Sequence, residues 1–451
     1  MSDGPHAARG EVFGLGSGPP PRRAGTSGTS ESRDRILRIL LLIGTFLSGW
    51  NLLRVGSMNV TVSDIALMLC LAIVATRGRL NLLPFGPLTP YWVGALTMML
   101  GGLFVSSVIN GDPLRWANVA IQYTMAYLLI PILLMGQERR LTQMLPVFFV
   151  LGTTLSEAIG IASTFFFTMH DTVGLLGDGF ITGNQRLGAM AGQPNPNGAV
   201  IAFSLPMLIY SLVKGSMPKL VGLVCGFTLL WGLMLSASFT GFFASMTAIV
   251  VTLALIGLRH VMRLGLVLVL AAGLFFASGA PLPKAFQERV GGAVETGDIS
   301  QAGTFLNRSE LITEAWGFAE DTAVIGMGVD RYRELSHYDN PVHNLYLLIW
   351  NEGGAVAFIG LIGLLAMLCL FAIGGLRRSR EEGGMTCAIV IVFLIYTASY
   401  PHMYSRMWVV PIFIALGVIY GRQDKEADFS NAGPVTAFPR PSRPSRHAPQ
   451  A

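Results

Sequence analysis

Charge is what this sequence has least of. Of 451 residues only 13% are Asp, Glu, Lys or Arg, while 52% are hydrophobic; an average soluble domain carries about 25% charged residues. With a mean hydropathy of +0.56, that deficit excludes an ordinary water-soluble domain and leaves a polytopic membrane protein. Cysteine is scarce too. Cys70, Cys225, Cys369 and Cys387 fall inside apolar runs without metal-ligand spacing, so they read as small core residues rather than disulfides or a metal site. The histidines form no metal-ligand cluster in the sequence, and the outer face offers no Asp-x-Asp or His-Glu-x-x-His pattern. No required metal is therefore expected. The net charge of +5 does not call for nucleic acid, because Lys and Arg lie mostly in short loops between apolar runs, where the positive-inside rule accounts for them. An internal repeat is also missing, which weakens an inverted-repeat transporter.

Residues 1–32 are rich in Gly, Pro, Ser and Arg and have no apolar core, so they are not the hydrophobic region of a signal peptide, and the first apolar run is read as a retained anchor. A second polar tail, 422–451, ends PRPSRPSRHAPQA. Both tails are expected to be disordered and cytoplasmic, flanking a membrane domain at 33–421. At about 20 apolar residues per span, candidates lie near 36–53, 60–76, 90–109, 117–136, 144–168, 197–213, 219–237, 242–258, 264–280, 343–374, 385–400 and 408–421. The expected fold is thus an all-α, polytopic integral membrane protein of roughly twelve transmembrane helices. If Arg33, Arg35 and Arg38 hold the amino end inside, the inner loops carry Arg77/Arg79, Arg139/Arg140, Lys214/Lys219, Arg259/Arg263, Arg377/Arg378/Arg380 and Arg422/Lys425. Every one is basic, as the positive-inside rule requires.

The outer face then collects the long connections, 169–196 and a large loop at 281–342. Within the loop, NRSELITEAWGFAED sets Leu311, Ile312, Ala315, Trp316 and Ala319 at helical spacing, an amphipathic surface helix. Where the loop meets the next apolar run, in DNPVHNLYLLIWNEGGAVA, Asn340-Pro341 reads as an N-cap and a first-turn proline, which puts His343 in the first turn of a membrane helix. The positive end of the helix dipole favours a neutral imidazole there, suited to a general base. Its bland alternative is an interfacial histidine satisfied by a carbonyl or water. Asn195-Pro196 repeats the pattern in GNQRLGAMAGQPNPNGAVIAF. Two helices would then start on the outer face, and helix N-termini bind phosphate, with Arg186 upstream as a bidentate partner. The long loop adds Arg308, Arg331 and Arg333; pairing with Asp321 or Asp330, or contact with lipid headgroups, is the bland reading of each. Glu352, two and a half turns past His343, points away from it and about 13 Å deeper in a regular helix, which makes it a buried hydrogen-bonding residue. Glu157 is costly within a span, and marks a point to test or a wet cavity.

Three pieces together resemble the O-antigen ligase and O-antigen polymerase superfamily of bacterial envelope glycosyltransferases. They are Arg186-Leu-Gly with Asn195-Pro196-Asn197; Arg308 with Trp316 and Gly326-Met-Gly328; and His343-Asn344-x-Tyr346-Leu347 with Glu352-Gly353-Gly354. The family-like region runs over about 180–374. The resemblance implies a multi-pass protein of the bacterial inner membrane with its active site on the periplasmic side. It implies transfer of a glycan from undecaprenyl diphosphate to a hydroxyl of an acceptor glycan, either a growing polymer or a lipid A core sugar, with no cofactor. By position, His343 is the implied base and Arg186 and Arg308 are implied diphosphate ligands. Asn195, Asn197, Asn344 and Glu352 stand as supporting polar residues. The sequence departs from the family pattern in LSASFTG, where Phe239 and Thr240 follow Ser236 and Ser238 in place of an arginine; either Arg331 or Arg333 is the expected substitute, or the donor differs from the family's. Ala357 stands where a glycine is usual, an expected matter of helix packing. The competing classes are a transporter or flippase of lipid-linked or soluble solutes, which requires polar residues near the bilayer midplane, and a scaffold that tolerates loss of His343.

Overall fold

A computed structural model describes residues 27–55, 60–257, 282–292 and 305–422. These are helical, with no strand among the described residues. In chain order the helices are α1 (Ser27–Phe46), α2 (Val62–Thr76), α3 (Thr89–Asn110), α4 (Pro113–Leu134, with a π-helical segment at Met125–Leu129), α5 (Arg139–Phe166), α6 (Met169–Leu176), α7 (Pro194–Lys214), α8 (Lys219–Ser236) and α9 (Phe239–Ile256). After the loop come α10 (Phe305–Thr322), α11 (Arg331–Leu335), α12 (Leu345–Arg378), α13 (Arg380–Thr397) and α14 (Arg406–Tyr420). Seven are long and apolar enough to cross a membrane: α3 with its preceding turn, α4, α5, α7, α8, α9 and α12; α2 and α14 are shorter apolar helices. The expected span near 264–280 and both tails fall outside the described residues, apart from the start of α1. The four cysteines are free.

Burial sorts the helices into a centre and a rim. In α7, 89% of the apolar window is buried, against 33% in α8, so α7 is packed on all sides while α8 keeps an outward apolar face, the lipid-facing arrangement. Every residue of α14 from Arg406 to Ile419 is buried. An arginine at its start is tolerable only with a partner. Arg406 is ion-paired with Asp64 at the start of α2, and its Nη1 donates to Gln122 Oε1 at 2.7 Å. One end of the bundle carries ion pairs of the basic connections: Arg77 with Asp34, Lys214 with Glu381, and Arg139 with Glu382 at 2.8 Å. The opposite end holds the N-termini of α7, α9, α12 and α14.

Two local features shape that opposite end. α7 and α9 cross at Gly198 and Gly241, where a Cβ added to Gly241 would stand 2.8 Å from the Gly198 Cα, so their N-termini start side by side. α12 breaks at Gly354, whose φ of 70° and ψ of −170° no helix contains and only glycine adopts freely. The break lets an outside strap satisfy α12 backbone groups. Met327 N–H donates to Asn351 O at 2.8 Å, Gly328 N–H to Glu352 O at 3.0 Å, and Ala355 N–H to Ala323 O at 3.0 Å. Ala357 is fully buried against α3 at Gly102, so its departure from the family glycine is absorbed by a glycine on the facing helix.

Both expected helix starts shift. α12 begins at Leu345, and its N-cap is Asn344, whose side chain accepts from Leu347 N–H at 3.1 Å. Asn340 and His343 therefore precede the helix. Asp339 takes a left-handed φ of 52°, which keeps Asn340-Pro341 in the loop, and Asn344 is the residue whose oxygen reaches the third amide of the helix. α7 begins at Pro194 with Gln193 as its cap, so Asn195 lies inside the first turn; Pro194 is the first-turn proline in place of Pro196. The amphipathic loop helix forms as α10, with Leu311, Ala315 and Ala319 buried. It packs on α12: Asn351 Nδ2 donates to Ala315 O at 2.9 Å. Trp316 departs from the expected apolar face and is 56% exposed.

Candidate active site

A tight turn places Arg186. Thr182 N–H donates to Arg186 O at 3.0 Å and Ile181 bridges to Leu187, while Gln185 takes the positive φ that closes the turn. The guanidinium then points at the junction of α8 and α9. Its Nε donates to Ser236 O at 2.9 Å and an Nη to Asn195 Oδ1 at 3.0 Å. The same Asn195 oxygen accepts from Ser238 Oγ at 3.1 Å, and the Asn195 carbonyl accepts from the Tyr396 hydroxyl at 3.2 Å. Asn195 thus ties α7, the Ser236-Ala237-Ser238 turn and the end of α13 around one arginine. Ser238 also caps α9, accepting from Gly241 N–H at 3.1 Å.

Arg186 is only 8% exposed, and the charges near it have its own sign. Burial is the main cause that lowers its pKa to about 10, and the guanidiniums of Arg289 and Arg308 lower it further. Arg308 is lowered chiefly by burial, which Tyr396 opposes and to which Arg289 adds a lesser lowering; Arg289 is lowered by burial. No carboxylate of the described residues pairs with any of the three. Buried charges are normally paired. Three half-buried or buried cations without an acid among the described residues, near the N-termini of two helices, make a cluster whose charge suits a multiply charged anion.

His343 sits beside Arg308. Its Nδ1 is buried without a hydrogen-bond partner, and its pKa falls to about 4, first through burial and then through the Arg308 charge. The imidazole is neutral at physiological pH with a free ring nitrogen. That is the state expected from sequence, but burial and an arginine produce it rather than a first-turn position.

The other expected residues divide. Asn344 caps α12. Asn197 turns away from the pocket, donating to Glu157 Oε2 at 3.2 Å and Leu187 O at 3.4 Å inside the bundle, where Glu157 is fully buried against Gly232. Arg331 is held by Glu334 at 3.0 Å, and Arg115 shares that carboxylate. Arg333 is exposed on α11. Neither is brought to Arg186 and Arg308; the third cation there is Arg289, from the segment Gln287–Gly291. Phe286, three residues earlier, packs on Phe242 of α9 with ring centroids 5.6 Å apart, which anchors the segment at the start of α9. The missing arginine after Ser238 was the sequence signal for a further cation, and the residues named for it, Arg331 and Arg333, stand in a different part of the loop from Arg289. Tyr396 carried no signal at all. Glu352 is buried as expected, its Oε1 accepting from Asp330 N–H at 3.0 Å. It also gathers with Asp330 and His402, a grouping that the separation of these residues along the chain concealed, so the expectation of unclustered histidines holds for spacing and not for space.

The fold is that of a multi-pass helical membrane protein, with a cluster of three arginines that meets no acid among the described residues at one end of its bundle. The O-antigen ligase family model matches residues 224–362, which supports a place in the O-antigen ligase-like superfamily and, in general terms, a membrane glycosyltransferase of ligase or polymerase type. The matched stretch contains Ser236, Ser238, Arg289, Arg308, His343 and Glu352; the fold adds Arg186, Asn195 and Tyr396 from outside it. No curated protein matches the chain.

Proposed function

We propose that the protein is a glycosyltransferase of surface polysaccharide assembly in the bacterial inner membrane, moving a glycan from undecaprenyl diphosphate to an acceptor sugar hydroxyl on the periplasmic side. The observation that carries this reading is the trio Arg186, Arg289 and Arg308, buried or half-buried without a carboxylate partner among the described residues, beside a neutral His343. A diphosphate supplies the charge that the trio lacks. Arg289 takes the place of the family arginine absent after Ser238, and the N-termini of α7 and α9 add oriented amides.

The acceptor oxygen attacks the anomeric carbon while the bond from that carbon to the phosphate oxygen breaks. Undecaprenyl diphosphate leaves with the bonding pair, and the arginines stabilise the growing charge on it. The acceptor proton passes to His343, whose free ring nitrogen is unencumbered by any protein partner, and from there to water. One direct displacement inverts the anomeric centre. A pKa of about 4 makes a weak base in the empty protein. The donor corrects this, because its negative charge offsets Arg308 and draws the histidine pKa up toward the working pH. Base strength is thereby tied to donor occupancy.

The test is a deletion strain complemented with the wild-type gene or with His343→Ala, following surface polysaccharide by gel and lipid-linked intermediates by mass spectrometry. Short lipid-linked units accumulating without long polymer identify a polymerase, and complete polymer stranded on undecaprenyl diphosphate identifies a ligase. Units trapped on the cytoplasmic leaflet would instead establish a flippase and refute the transferase reading.

A further inference from the structure

Beside the break in α12, side chains from three elements converge. Asp330 lies in the turn before α11 with a left-handed φ of 63°; Glu352 stands two residues ahead of Gly354; His402 lies in the turn between α13 and α14. One ligating atom of each is within 4.8 Å of the other two. Glu352 is 1% exposed. With Oε1 engaged by the Asp330 amide, its Oε2 is buried and without a partner, and so is Nδ1 of His402. A buried carboxylate oxygen left unsatisfied has lost its water without compensation, and here an imidazole with an unsatisfied nitrogen and a second carboxylate stand close by. The guanidinium nearest in sequence to His402, that of Arg406, is committed to Asp64.

We propose that Asp330, Glu352 and His402 bind a divalent transition-metal ion of the manganese or zinc class. One ion satisfies the orphaned oxygen and the orphaned nitrogen together and balances two adjacent carboxylates. The donor set selects the class. Calcium takes six to eight oxygens and magnesium an oxygen octahedron rich in water, whereas one imidazole nitrogen with two carboxylates suits Zn2+ or Mn2+. At bond lengths of about 2.0–2.2 Å two ligands of one ion stand roughly 3–4.4 Å apart, so the observed spread requires only a small side-chain adjustment. Asp330 and His402 are partly exposed, which leaves an entry path. The ion joins the strap that hydrogen-bonds α12 at Asn351 and Glu352 to the turn ahead of α14, fastening the outer end of the bundle without touching the transfer chemistry.

The intact protein, purified in detergent, is stripped with a chelator, desalted and reloaded separately with Mn2+ and Zn2+. Bound metal is counted by mass spectrometry, and the Mn2+ form is examined by pulsed paramagnetic resonance for coupling to a ligand nitrogen. About one ion per chain is expected, with at least roughly tenfold weaker binding in Glu352→Gln and His402→Gln and no nitrogen coupling in His402→Gln. Should Glu352→Gln fail to fold, His402→Gln, in the partly exposed turn between α13 and α14, carries the test. Wild-type protein that retains no ion, or retains it no better than His402→Gln, overturns the assignment, as does bound Mn2+ without nitrogen coupling.

Discussion

The His343 environment makes a quantitative statement about pH. Its pKa of about 4, against an ordinary value of about 6.5, means that the base form persists far into acid. At pH 5.5 about 97% of such an imidazole is neutral, whereas an unperturbed histidine would be about 9% neutral. The difference is about tenfold in rate, well within reach of an assay. The relevant quantity is kcat/KM for a short-chain prenyl diphosphate donor, since that ratio reports the free protein, and the protein should be reconstituted in nanodiscs between pH 4.5 and 8. A profile flat from pH 7 down to 5.5 is expected, with kcat falling at higher pH than kcat/KM because bound diphosphate raises the pKa. Arg308→Gln removes one of the two causes of the depression and should move the kcat/KM profile to higher pH. The same shift has a sign for stability: below about pH 6.5 the unfolded chain binds a proton that the folded one resists, so stability declines as pH falls from there through about 4. A wild-type kcat/KM that halves near pH 6.5 would refute the assignment of His343 as a buried neutral base.

Arg289→Ala should raise the donor KM or lower kcat/KM by about 10- to 100-fold, the scale of a lost charge-assisted contact, while Arg333→Ala, on the exposed face of α11, should change neither; equal effects in steady-state assays would dissolve the distinction between the two. Asp64→Asn removes the carboxylate paired with Arg406 among the described residues, an arginine whose side chain is 4% exposed, at a cost of about 3–5 kcal/mol. Thermal unfolding in detergent should show the loss, and Arg406→Met in the same background should recover much of it. Gly354→Ala forces a side chain onto φ 70° with its Cβ 2.3 Å from the Val324 carbonyl, so a loss of about 2–4 kcal/mol is expected in the same measurement; an unchanged melting profile would mean that α12 does not break there.

The bundle was legible because apolar length is a strong signal. Each described helix from α2 to α5, from α7 to α9 and from α12 to α14 stands where an apolar run predicted a span, and α10 where helical spacing predicted an amphipathic helix. Boundaries were weaker. Asn340-Pro341 and Asn195-Pro196 both look like helix starts, yet an N-cap is decided by which side chain reaches the third amide, and Asn344 does so for α12. The site was legible residue by residue and not as an arrangement. Arg186 and Arg308 converge; Arg331 and Arg333 offer the same chemistry in the sequence but are separated by a local feature, Glu334, which holds Arg331 in an i, i+3 pair. Arg289 needed the packing of Phe286 on Phe242 to be found.

Glu352 shows why periodicity alone could not go further. The angular reading that turned it away from His343 assumed one regular helix through both residues, but the helix starts at Leu345 and leaves His343 outside it. What the assumption could not supply is what Glu352 turns toward, because that depends on Gly354 breaking α12 and letting the Gly326–Gly328 strap lie against its carbonyls. The strap delivers Asp330, and the turn ahead of α14 delivers His402. One sequence motif is thereby split between two environments: His343 faces Arg308 of the arginine cluster, while Glu352, nine residues later, faces a carboxylate and an imidazole. Substitutions at the two positions should therefore fail differently. Loss of His343 should leave a folded protein that holds its donor without turning it over, whereas loss of Glu352 should loosen the outer end of the bundle and weaken the protein's fold before its chemistry.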